Sequence, residues 1–159
     1  MSERSLGALA QRPVVEPADD PLTHDRPIVA VVDRLNDPPT LAAAIASALG
    51  LRGARVASVK VVTRAAEGES SDAGVVRASP DRMRDALARA LSTLPPHDVV
   101  VLEGPAAVAL TRARVAILLA PPSPLALPPD VRAVRSRFEL VLHEQRDGVI
   151  AALAATLAG

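Results

Sequence analysis

Apolar positions along this chain follow two alternating rhythms. Continuous runs, Ile28 to Val32, "RVASVKVV" (55–62), "DVVVLEG" (98–104), "RVAILLA" (114–120) and "ELVLHE" (139–144), read as strands, and the runs apolar throughout suit strands covered on both faces. Between them, apolar residues recur at helical spacing. Leu41, Ile45, Ala48 and Leu49 form one such face, and Met83, Leu87, Ala90, Leu91 and Leu94 form a second. Ile150, Leu153, Ala154 and Leu157 form a third, on a terminal helix opened by Asp147 and apolar nearly all round. A short helical stretch is expected around 105–111, and "VVRA" (75–78) is a candidate short strand. "AAEGESSDAG" (65–74) reads as a polar loop, and the prolines of "PPSPLALPP" (121–129) as a surface loop. Strand, helix and strand within 28–62 make a right-handed crossover unit. The pattern predicts an α/β fold: three layers around a mainly parallel, doubly wound sheet.

Residues 1–26 carry prolines and charges without periodicity and read as a flexible N-terminal tail, leaving 27–159 as one domain. Composition narrows the function. Acidic and basic residues balance, which argues against nucleic acid and anionic membrane as partners. With no cysteine there are no disulfides, zinc thiolates or thiol nucleophiles. His24, His97 and His143 lie far apart in sequence with no ligand spacing; His97 and His143 read as exposed loop or strand-end residues. Neither a secretory signal nor a membrane span is legible, so a cytoplasmic protein is expected.

Candidate chemistry gathers where a doubly wound sheet places it, beyond the carboxyl ends of the strands. The loop after the first strand reads Asp33-Arg34-Leu35-Asn36-Asp37-Pro38-Pro39-Thr40, at the position of a phosphate loop but without its glycines or lysine. Two prolines remove backbone donors, and Asp33 and Asp37 put negative charge where a phosphate would sit. Asp37 is expected to cap the helix, with Pro38 in its first position. Arg34 is the one residue that could replace the missing lysine. "DVVVLEG" ends in Glu103-Gly104 like a magnesium-positioning strand, although taken alone Glu103 is read first as a cap of the next turn. Lys60, the only lysine, is expected to neutralise a nearby carboxylate. Arg132, Arg135 and Arg137 read as a solvated basic edge.

These segments together resemble the molybdopterin-guanine dinucleotide biosynthesis adaptor family (MobB), from about Pro27 onward. Thr40-Leu41 matches the end of that family's phosphate loop. "RGARVASVK" (52–60) matches its second-strand motif with Lys60 on the motif's lysine, "AGVVRASPDR" (73–82) its following segment, and "DVVVLEG" its acidic strand end. Pro38 and Pro39 stand on the loop's lysine and hydroxyl positions, Val61 on a histidine and Pro105 on an aromatic. The resemblance implies a P-loop NTPase-like fold whose nucleotide site is degenerate, with Asp33, Arg34, Asp37, Thr40, Lys60, Glu103 and Gly104 as its remnants. It implies a non-catalytic adaptor that assists maturation or assembly of a molybdenum- or pterin-cofactor enzyme. A protein partner follows, as a homodimer or hetero-complex, with no resident cofactor or metal. Two alternatives stay open: an assembly subunit of a multi-protein complex outside that pathway, and a GTP-binding enzyme with a rebuilt site in which Glu103 holds magnesium.

Overall fold

The structure is a computed structural model and describes residues 13–65, 69–72, 74–123 and 127–158. Seven strands form one sheet: β1 (Ile28–Asp33), β2 (Val56–Thr63), β3 (Glu69–Asp72), β4 (Val75–Ala78), β5 (Val99–Glu103), β6 (Val115–Leu119) and β7 (Leu140–Leu142). Their order is β3-β4-β2-β5-β1-β6-β7. Every pairing is parallel except β3 with β4. From β1 the chain works outward to one edge, returns to β5, then crosses β1 to reach β6 and β7. That reversal beside β1 is the switch point of a doubly wound sheet, and with helices on both faces the chain has the three-layer, P-loop NTPase-like α/β fold.

The central strands read as unbroken apolar runs because both faces are covered. Alternate residues of β1 serve opposite layers: Ile28, Ala30 and Val32 face one cluster, Val29 and Val31 the other. The first layer holds α2 (Pro80–Ser92), α3 (Pro105–Leu110) and the one-turn α4 (Pro129–Arg132). The second holds α1 (Leu41–Leu51) and α5 (Asp147–Ala158), which pack side by side. Leu41, Ile45 and Leu49 of α1 and Met83, Leu87 and Leu91 of α2 are buried as their spacing requires. Each such side chain contributes about 1.5–3 kcal/mol on leaving water. On α5 only Ile150 and Ala154 are fully buried, while Leu153 and Leu157 stay half-buried.

Three expectations change. Part of the loop expected over 65–74 is β3, a polar edge strand; an antiparallel strand at an edge gains its ladder from one neighbour and needs no apolar face. Residues 66–68 and 73 of that stretch lie outside the described residues, as do 124–126 of the proline-rich loop. The expected tail is also shorter. Val15 is buried in the α2–α3 layer, Ala18 N–H donates to Ala109 O (2.8 Å), and Leu22 N–H donates to Leu110 O (2.7 Å). Residues 13–26 therefore belong to the domain, while the 1–12 part of that expectation lies outside the described residues.

Arg137 is the third change. It is no solvated basic edge: its Nη1 donates to Ala109 O (2.7 Å) and its Nη2 to Ala18 O (2.6 Å). One guanidinium thus ties the last turn of α3 to the N-terminal segment, a cation on the carbonyl end of a helix. Arg132 and Arg135 are exposed.

Candidate binding site at the strand ends

A cleft of about 260 Å³ lies beyond the carboxyl ends of β1, β2 and β5. Asp33, Arg34, Thr40, Lys60, Glu103 and Gly104 all line it. Asp37 does not; it lies in a separate hollow with Pro38, Pro39 and His143.

The turn after β1 is organised by Asp33. Its Oδ1 accepts from Leu35 N–H (3.0 Å) and Asn36 N–H (2.9 Å), and its Oδ2 accepts from Leu41 N–H (2.9 Å), the first residue of α1. Asn36 adopts a left-handed backbone (φ 54°), which asparagine tolerates and which helps the loop fold back over that carboxylate. An anion is favoured at a helix N-terminus because free amides and the helix dipole both point there. In this chain the anion is the protein's own.

The expected cap is therefore corrected. Thr40, not Asp37, is the N-cap: its Oγ1 accepts from Ala43 N–H (3.3 Å), and the helix begins at Leu41 rather than Pro38. The physical reason is local. Thr40 and Asp33 between them supply acceptors to two first-turn amides, Ala43 and Leu41, whereas Pro38 and Pro39 offer no amide to cap. Asp37 is left exposed.

Gly104 has a structural cause. Its φ is +128°, and a Cβ there would lie 2.4 Å from the carbonyl oxygen of Val61 on β2. The chain leaves β5 so close to β2 that no side chain fits. The Glu-Gly pair at this strand end is thus partly dictated by packing, whatever ligand the cleft takes.

Lys60 and Glu103 are register partners on β2 and β5, so both side chains stand on the α1 side of the sheet. Lys60 is exposed and has no ion-pair partner among the described residues, contrary to the expected local pair. Glu103 is half-buried beside it. Among the described residues, no group of three or more histidine, cysteine, aspartate or glutamate side chains is placed to hold a metal ion. Polar chemistry left at the cleft therefore amounts to Arg34, Asn36, Lys60 and Glu103, with Thr63 and Asp130 on its wall.

A second constellation went unforeseen. His24 and His97, separated by 73 positions, bring their Nε2 atoms to 2.8 Å. The ring planes lie within 6° and the centroids 5.1 Å apart. That separation exceeds the Nε2 distance by about two ring radii, so nitrogens and centroids are nearly collinear, head to head. Two lone pairs aimed at each other share a proton; metal ligands must instead converge on a third point. His97 Nδ1 lies 2.7 Å from Pro95 O and so carries a hydrogen, which makes neutral His97 Nε2 the acceptor and His24 Nε2–H the donor. Burial lowers the His24 pKa, Asp25 opposes this, and His97 adds to it. The pair clamps the N-terminal segment to the loop before β5, at the opposite end of the sheet from the cleft. Only the packing of residues 13–26 brings the two rings together, so no local spacing could have revealed it.

No family model, no curated protein and no solved structure matches this chain. No helix among the described residues is long and apolar enough to cross a membrane.

Proposed function

We propose that the chain is a non-catalytic, protein-binding adaptor built on a nucleotide-type cleft. One observation carries this: the Asp33 carboxylate holds the Leu35, Asn36 and Leu41 amides, the donors that a phosphate in this position would need. An incoming phosphate would have to displace a charge-assisted network and then sit against the carboxylate it displaced. Arg34 and Lys60 remain as cations on the cleft wall, without the backbone cradle that lets a lysine act on β- and γ-phosphates. The partner in this proposal is an enzyme carrying a molybdenum or pterin cofactor, or its maturation machinery. That half of the reading rests on the likeness of residues 52–60 and 98–104 to the adaptor family.

The test is calorimetric titration of the full chain with GTP, GDP and ATP in the presence of Mg²⁺, repeated on Lys60→Ala. No heat of binding up to millimolar nucleotide is expected. Micromolar binding that weakens in Lys60→Ala would replace the adaptor reading with a rebuilt nucleotide site.

A further inference from the structure

β7 is the last strand of the sheet, and one of its sides has no neighbour among the described residues. Its three residues, Leu140, Val141 and Leu142, are all apolar, and Val141 is 53% exposed. Ala120 N–H donates to Leu142 O (3.0 Å), so the Leu142 peptide groups face inward to β6. Peptide direction alternates along a strand, which turns the N–H and C=O of Val141 outward, free to pair. Soluble proteins usually protect such an edge with charge, proline or a covering element, because a bare apolar edge templates another strand. The other edge is protected in that way: β3 reads "ESSD", with exposed Asp72 bonded to Arg77.

From these features we propose that β7 pairs antiparallel with β7 of a second copy, about a two-fold axis through Val141. This goes beyond the reading of the cleft and does not depend on it. The strand is complementary to itself in that register. Val141 meets Val141 of the partner subunit and exchanges two backbone hydrogen bonds with it. Leu140 lies opposite the partner's Leu142, and Glu139 opposite the partner's His143, so a carboxylate meets an imidazole rather than a like charge. A two-fold interface requires this kind of self-matching surface.

The helix beside the edge fits the same occupant. After Asp147, α5 carries no charged residue, and its exposed positions include Ala151, Ala152, Ala155 and Thr156. Between α5 and β7 runs an apolar groove that includes Leu140, Val149, Leu153 and Leu157, with Arg114 and Glu139 as its two charged lining residues. Antiparallel β7 strands bring the two copies of this groove together on one face of the joined sheet. That contact explains why a helix apolar nearly all round buries only Ile150 and Ala154 within one chain.

The experiment combines sedimentation of the full chain with single-thiol cross-linking, which the absence of native cysteine makes unambiguous. Wild type is expected to sediment at twice the 16.5 kDa chain mass. Paired Cα atoms across this register stand about 5.5 Å apart, within disulfide range, so Val141→Cys should form a covalent dimer on mild oxidation. Leu51→Cys, 88% exposed at the end of α1, should not. Val141→Asp should raise the dimer dissociation constant by about a hundredfold, because the central contact is lost from both copies at once. A monomer at every concentration would overturn the proposal, including the case in which a different protein covers this edge. So would a dimer that ignores Val141→Asp and gives no Val141→Cys cross-link.

Discussion

The turn after β1 and the strand β7 lie two places apart in the same sheet and treat their exposed backbone in opposite ways. At the turn, two loop amides and the first helical amide are taken by Asp33, and Thr40 takes a fourth. At β7, an apolar strand keeps its outward peptide groups without a partner among the described residues, beside a helix with more apolar surface than those residues bury. At the first place the amides meet a carboxylate of the chain itself; at the second, no described residue meets them.

That contrast can be broken at several points. The largest effect is expected at the closed end, from Gly104→Ala, which forces a Cβ to 2.4 Å from Val61 O at a φ of +128°. A loss of about 3 kcal/mol should appear in urea denaturation. A near-neutral result would mean that β5 and β2 can separate and that the cleft floor is not fixed. Asp33→Ala comes next: it leaves three amides to water and removes an anion from a helix start, at about 2 kcal/mol in the same assay. Asp37→Ala should change stability by less than about 0.5 kcal/mol, since no described residue bonds that exposed carboxylate. Equal losses at the two aspartates would undo the assignment of the cap.

At the open edge the expectation reverses. Val141→Asp should leave the unfolding free energy extrapolated for one chain within about 0.5 kcal/mol while weakening association about a hundredfold. The smallest effect lies away from both regions, at the start of β5. Hydrogen bonds from the Arg55 side chain, then from its backbone N–H, hold the Asp98 carboxyl down at about 2. A depressed carboxylate contributes stability above its unfolded value, near 3.9, and loses it as pH falls toward 2. The difference in melting midpoint between wild type and Asp98→Asn should therefore be present at pH 7, shrink below about pH 4 and be lost as pH falls through about 2.

Much of the fold was legible because the central strands are apolar on both faces and the helices are periodic. β3 was not, since "ESSD" carries no apolar pattern and is a strand only through its pairing with β4. The cleft's residues could be named from the switch point of the sheet, but not their roles. Asp33 and Asp37 are the same chemical group four residues apart, and the left-handed turn at Asn36 helps decide which one folds back onto the helix. The clamp by Arg137 and the His24–His97 bond were hidden for another reason. Both depend on residues 13–26 packing along α3, a segment whose sequence shows no periodicity to announce it.

Asp33 holds the Leu35, Asn36 and Leu41 amides, and backbone amide NMR reads whether a nucleotide can take them. The amide resonances of Leu35, Asn36 and Leu41 are expected to stay in place as GTP and Mg²⁺ are raised to millimolar levels, and to move together in Asp33→Ala. Saturable nucleotide-dependent shifts at those three amides in the wild-type chain would contradict that expectation, because the cradle would then still be open to a phosphate.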